Sequence, residues 1–261
     1  MIKSRIAPNI ERNRIESLTG LRFFAALAVL LCHYQALAPP TSLNFLLDAG
    51  GHGVLLFFML SGFVLTHRYD RLQATASSNA WLRSSVYSYV LARVARVVPL
   101  YWLVLGVTVV VYFASNFVYA LGPQPEGSIG IGLSLLVNFL ALQSWIPSVS
   151  VQQFWNAPGW SISCEMFFYA CFPWLIRRLT LNGSTWSFVR VTVGFAFAFF
   201  IYAAVLHIFS AWTRLSLEVG FRLPLFGLFP FILGILIHRR MRNGFSSKDG
   251  LNNPLQMGIA A

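Results

Sequence analysis

Charge is what this chain has least of. Asp, Glu, Lys and Arg make up 10% of its 261 residues, and acid is scarcer than base, with 8 Asp plus Glu against 19 Lys plus Arg. Soluble domains carry about a quarter of their residues as charges, so an ordinary water-exposed surface is excluded. The three cysteines, Cys32, Cys164 and Cys171, fall inside apolar segments and not in paired loops, which excludes a disulfide framework and reads as small buried hydrophobes. There is no GxSxG elbow, HExxH helix, paired CxxC or Walker loop. Chemistry that announces itself by those signatures is therefore absent, and no metal is expected.

What remains is apolar: 57% of residues are hydrophobic and mean hydropathy is +0.65, so the bilayer is the solvent. A span needs about 20 mostly apolar residues, and such stretches lie near 18–38, 51–67, 97–114, 155–176, 191–211 and 221–238, with a seventh candidate near 129–148. The expected fold is all-α, a polytopic transmembrane helix bundle of six spans plus one re-entrant or seventh spanning segment. Residues 1–242 form this domain and 243–261 a polar, disordered tail. Trp81, Trp102, Trp145, Trp155 and Trp174 sit near span ends, as interfacial aromatics do. The basic start, apolar run and Ala36-Leu37-Ala38 imitate a signal peptide, but the run is long enough to span and contains Arg22 and His33, so cleavage is not expected.

The net charge of +11 does not mark a nucleic-acid surface, because the basic residues cluster at the ends of apolar runs. Lys3, Arg5, Arg12 and Arg14 precede the first span, and Arg68, Arg71, Arg83, Arg93 and Arg96 follow the second. The positive-inside rule puts the N-terminus and the 68–96 loop in the cytoplasm. Segment 115–128 has no Lys or Arg and reads as an outer loop around Gly122-Pro123-Gln124-Pro125. Arg177, Arg178, Arg190, Arg239, Arg240, Arg242 and Lys248 also favour the cytoplasm, which six spans satisfy when 129–148 is re-entrant and seven do not.

Ionisable side chains inside spans are costly and are functional candidates by default. Arg22 and His33 lie eleven residues apart, which returns them to within roughly 20° of one helical face with about 16 Å of rise between them. Arg93 and Arg96, i and i+3, share a face and suit phosphate oxygens through their guanidinium forks. Glu165 follows the helix break at Pro158-Gly159 by about 10 Å and needs a partner, for which His33 is the natural choice. Structural readings stand beside each: a snorkelling Arg22, a hydrogen-bonded His33, arginines that only mark a cytoplasmic border, and a Glu165 paired with one of them. Arg214, Glu218 and Arg222 at i, i+4 spacing read as a solvated ladder or, alternatively, an acceptor-binding surface. Around Gly50-Gly51-His52-Gly53 and Ser61-Gly62, small residues imply close helix packing.

These stretches, in this order, resemble the acyltransferase 3 family of polytopic membrane acyltransferases: R-x10-H at Arg22 and His33, Phe57 to Phe63, R-x-x-R at Arg93 and Arg96 followed by Pro99 and Tyr101-Trp102, W-S-I-S-x-E at 160–165 leading to Phe168-Tyr169 and Pro173, and Arg222-Leu223-Pro224. The resemblance implies a cytoplasmic acyl-CoA donor, commonly acetyl-CoA, and transfer to a hydroxyl of a glycan, lipid-linked sugar or small molecule. It implies His33 as general base, Glu165 as the carboxylate that orients it and stabilises its imidazolium, and Arg22, Arg93 and Arg96 as receivers of the CoA phosphates. It also implies the bacterial inner membrane. Family members commonly have about ten spans, so the chain reads as C-terminally incomplete. The rival functions are a transporter or flippase of an anionic or sugar-linked solute, which inverted repeats would favour, and an inactive truncated family member.

Overall fold

The computed structural model describes residues 16–35, 50, 53–74, 79–114, 127–179, 185–213 and 217–251. Lys3, Arg5, Arg12, Arg14, Ala36-Leu37-Ala38, Gly51-His52, Arg214 and most of the expected outer loop at 115–128 lie outside these residues. Every regular element among them is helical: α1 Glu16–Gln35, α2 Gly53–Ala74, α3 Asn79–Ala114, α4 Gly127–Phe139, a 3-10 turn Gln143–Trp145, α5 Val149–Gln153, α6 Gly159–Arg178, α7 Thr185–Thr213, α8 Leu217–Phe221 and α9 Pro224–Leu251. Among the described residues two stretches, Val86–Ala114 and Pro224–Arg242, are long and apolar enough to cross a membrane; Leu18–His33, Gly53–Tyr69, Gly130–Phe139 and Thr192–Tyr202 are shorter apolar helices. Helix α9 continues to Leu251, past the boundary at 242 that polar composition suggests, because a helix once nucleated is extended at one hydrogen bond per residue.

The centre is built from α2, α6 and α9. Phe58, Phe168, Phe172, Phe231, Ile235 and Leu236 are fully buried there, with Phe168 stacked on Phe231 at 5.1 Å between centroids. Between helices in lipid, such packing and hydrogen bonding replace the hydrophobic effect as the associating force. Two glycines set the distance: a Cβ on Gly62 would strike the Phe231 carbonyl, and one on Gly234 would strike that of Met59. The close approach expected around Gly62 is thus found.

Contacts along their lengths give the helix directions. Phe58 early in α2 meets Gly227 early in α9, and His67 late in α2 meets His238 late in α9; the two run parallel. Trp160 at the start of α6 packs edge-on to Phe58, while Arg239 donates to the Ile176 and Leu179 carbonyls at the α6 C-terminus, capping its orphan acceptors. Helix α6 therefore shares that direction. Helix α1 runs against α2, with Ala28 facing Gly50 and Ala25 facing Gly53. Helix α3 also runs against them: Tyr89 donates at 3.1 Å to the Tyr169 carbonyl, which Pro173 leaves unused because it has no N–H, and Tyr101 reaches Gly159 at the start of α6 through Gln143.

The end of α3 and the start of α6 consequently lie at one end of the bundle. The 13 residues of α4 rise about 20 Å, short of the roughly 30 Å hydrocarbon core. Helix α4 stops at a turn where Ala141 takes φ 53°, and buried polar side chains satisfy the irregular backbone that follows. Asn138 Nδ2 donates to the Ser134 and Val151 carbonyls, Gln143 Nε2 to Gly159, and Ser144 Oγ to Trp160. Irregular backbone at membrane depth is tolerated where protein buries it in this way. Trp155 belongs to this interior: it is 2% exposed and donates to Ser134 Oγ at 2.8 Å, which corrects its reading as an interfacial aromatic. Trp102, Trp145 and Trp174 are exposed; the side chain of Trp81 is outside the described set.

Candidate active site

The site lies where α1 ends and α2, α6 and α9 begin. A cavity of about 520 Å³ opens between them, within the range of small-molecule sites. Its wall is largely apolar, formed by residues such as Val54, Phe57, Phe58 and Trp160, and the basic or acidic side chains among the described lining residues are His33, Glu165 and Arg222. Each arrives by a separate local device. His33 stands in the last turn of α1, Glu165 is carried by α6, which begins at Gly159 directly after Pro158, and Arg222 occupies the turn joining α8 to α9, where its N–H bonds to the Val219 carbonyl.

His33 Nδ1 lies 2.7 Å from the Val29 carbonyl one turn back. A carbonyl can only accept, so Nδ1 carries a proton, and the tautomer with a lone pair on Nε2 is the one this contact selects. Glu165 is partly buried, and its Oε2 accepts from the Tyr169 hydroxyl at 2.9 Å. The structure thus brings His33 and Glu165 to one cavity while giving the imidazole Nδ1 to Val29 and a Glu165 oxygen to Tyr169.

The three arginines expected to take phosphates do not appear among the described lining residues of the cavity. Arg96, Arg22 and Arg93 nevertheless each bring positive charge to bear on Glu165. Arg93 is buried at 6% exposure and its Nε has no hydrogen-bond partner among the described residues, whereas Arg96 is exposed; the pair shares a helix face without sharing an environment. All three cysteines are free, and only Cys164 among them is fully buried, its thiol donating to the Arg222 carbonyl at 3.4 Å.

The acyltransferase 3 family profile, described as an acyltransferase domain, matches residues 15–258. The chain belongs to this family. It is 35% identical over 185 residues to the acyltransferase MdmB of Streptomyces mycarofaciens, covering 66% of this chain and 43% of that one. It is 31% identical over 127 residues to the exopolysaccharide production protein ExoZ of Rhizobium meliloti (strain 1021), covering 47% of this chain and 33% of that one. The chain thus spans less than half the length of either relative. No solved structure matches it.

Two residues of this candidate site are not assigned to it by the sequence alone. Helical spacing groups Arg222 with Arg214 and Glu218 as a solvated ladder or an acceptor-binding surface, and the family resemblance includes it without a role, whereas α8 ends at Phe221 and Arg222 lines the cavity; the side chains of Arg214 and Glu218 are outside the described set. The usable signal is Pro224, which disfavours an uninterrupted helix through that point and is where α9 begins. Tyr169 was noted only as part of a motif, yet it stands at i+4 from Glu165, the spacing that makes side chains meet on a helix.

Proposed function

We propose that this chain forms the acyl-transferring part of an inner-membrane O-acyltransferase, moving an acyl group, commonly acetyl, from acyl-CoA to a hydroxyl of a cell-envelope glycan or related acceptor. The observation that carries the reading is the His33 ring: Val29 holds Nδ1–H, so Nε2 is an available base at the wall of the apolar cavity that His33 borders with Glu165. His33 Nε2 takes the hydroxyl proton as the oxygen attacks the thioester carbon; the C–S bond breaks, and the proton returns to the CoA sulfur. The tautomer is fixed by the Val29 carbonyl, and Glu165 acts through its charge by stabilising the imidazolium. Arg22, Arg93 and Arg96 receive the CoA phosphates, and about 16 Å of α1 separates Arg22 from His33, room for an extended thioester arm.

In this proposal α1, α2, α3, α6, α7 and α9 are six crossings and α4 is re-entrant. The support is that α2, α6 and α9 run parallel, so the chain between α3 and α6 must leave and return at one face. The N-terminus is cytoplasmic in this proposal, because Arg68, Arg177, Arg178, Arg239, Arg240 and Arg242 follow the apolar parts of α2, α6 and α9 on the side toward which all three run. ExoZ, by its name, concerns exopolysaccharide production, which favours a glycan acceptor.

The test is CoA release and acyl incorporation by membranes containing the chain, supplied with labelled acetyl-CoA and envelope glycans. His33→Ala is expected to lower turnover by about 10²-fold or more, the usual weight of a general base. Equal turnover in the variant, or none in well-inserted wild type, would refute the proposal.

A further inference from the structure

We propose that Arg222 is a catalytic residue of this site, its guanidinium binding the thioester carbonyl oxygen and stabilising the negative charge that develops there. The inference rests on the acyl-transfer reading above. When the acceptor oxygen bonds to the carbonyl carbon, the C=O π pair moves onto oxygen, while the hydroxyl proton passes to His33 Nε2. Collapse re-forms C=O, expels the CoA thiolate and returns that proton to it. A base accounts for the proton and leaves the oxyanion unaccounted for. In an apolar cavity an unsupported oxyanion is the more costly half of the step, and preorganised donors there are worth far more than in water.

Arg222 fits that need by position and by support. It lines the same cavity as His33, so a carbonyl attacked by a hydroxyl bound to His33 lies within the space both residues border. It is held from two sides. With its amide oxygen turned toward the guanidinium, Gln153 of α5 accepts from Arg222 Nη1 and Nη2, and the Arg222 carbonyl accepts from buried Cys164. A guanidinium has five N–H donors in a fixed fork, so an anchor at one edge aims the whole plane. The re-entrant segment gains a role from this. Gln143 and Ser144 tie it to the first turn of α6 and Gln153 ties it to Arg222, so it braces the cavity from one side. Arg222 touches the reacting carbonyl, and Gln153 is a positioning residue acting through it.

The experiment measures kcat and KM for acetyl-CoA, in hydrolysis and in transfer, on the full chain in native membranes. Arg222→Gln is expected to lower kcat by about 10²- to 10³-fold, the range for loss of an oxyanion donor, with KM for acetyl-CoA changed by less than about threefold. Arg222→Lys should recover part of the rate, because charge remains while the fork is lost. Gln153→Ala should lower kcat by about tenfold and Gln153→Glu should restore it, since the carboxylate presents the same acceptor oxygen; this pair decides the matter even if Arg222 variants fail to insert. Unchanged kcat in Arg222→Gln overturns the inference, and so does an effect confined to KM for acetyl-CoA or for the acceptor, which would make Arg222 an anion-binding contact. Wild type that turns over beside an equally active Arg222→Gln sinks this inference alone; wild type without turnover sinks the acyl-transfer reading beneath it.

Discussion

Of the two long apolar stretches, the more apolar is the more exposed. In the most apolar 18-residue window, 11% of the residues are buried for Val86–Ala114 in α3 and 61% for Pro224–Arg242 in α9. In water the order would be reversed. In lipid, uniform apolarity is the mark of the outer surface, while the inner helix is free to carry Gly227, Gly234, His238 and Arg239 because neighbours satisfy or require them. Hydropathy therefore says which helices meet lipid, and small or polar residues say which helices meet one another.

The sharpest test exchanges one aromatic in each helix. Phe231 is fully buried between Phe168 and Phe172, and Phe231→Ala should cost about 3–5 kcal/mol through the cavity it leaves. Phe113 is 76% exposed, and Phe113→Ala should stay within about 0.5 kcal/mol. Thermal unfolding of the detergent-solubilised chain measures both, and equal losses would break the comparison.

Glycines give a smaller effect of opposite sign. Gly234→Ala forces a methyl against the Met59 carbonyl, a backbone atom that yields only if α2 and α9 separate, and should cost about 1–3 kcal/mol. At Gly106 a Cβ meets nothing within 4 Å, so Gly106→Ala should gain up to about 1 kcal/mol from helix propensity. Destabilisation by both would place α3 against an unrecognised neighbour.

The same contrast explains what could be read from residues alone. His33 and Glu165 stood out because ionisable groups in apolar runs demand a reason, and both border the cavity. The Gly62 contact was legible because small residues in a span have few other uses. Asn138, Gln143 and Gln152 were silent because they carry no ionisable group to demand a reason inside an apolar run, although their amides donate to the Val151, Gly159 and Ile146 carbonyls and hold the irregular chain between α4 and α6. Trp155 was misplaced because tryptophan near a span end is usually interfacial, and nothing local reveals that Ser134 awaits its N–H. Helix direction is legible in the sequence only as charge bias, whereas the parallel course of α2, α6 and α9 is visible only in their contacts.

Tyr101 marks where the contrast narrows to a single side chain, since it is a buried residue on the exposed helix. Its hydroxyl donates to the Asn138 carbonyl at 2.6 Å and accepts from Gln143 Nε2 at 3.0 Å. Tyr101→Phe removes both bonds without changing the ring. Neither partner is stranded, because the Asn138 carbonyl still accepts from the Ala141 N–H and Gln143 Nε2 still donates to Gly159. The expected loss is therefore about 1 kcal/mol, the net worth of a replaced hydrogen bond and not the larger penalty of a buried orphan. The same unfolding assay reads it. A loss of 3 kcal/mol or more would mean that Tyr101 is the latch holding the segment after α4 against α3, and that the inward stripe of this otherwise exposed helix stabilises the bundle as the core of α9 does.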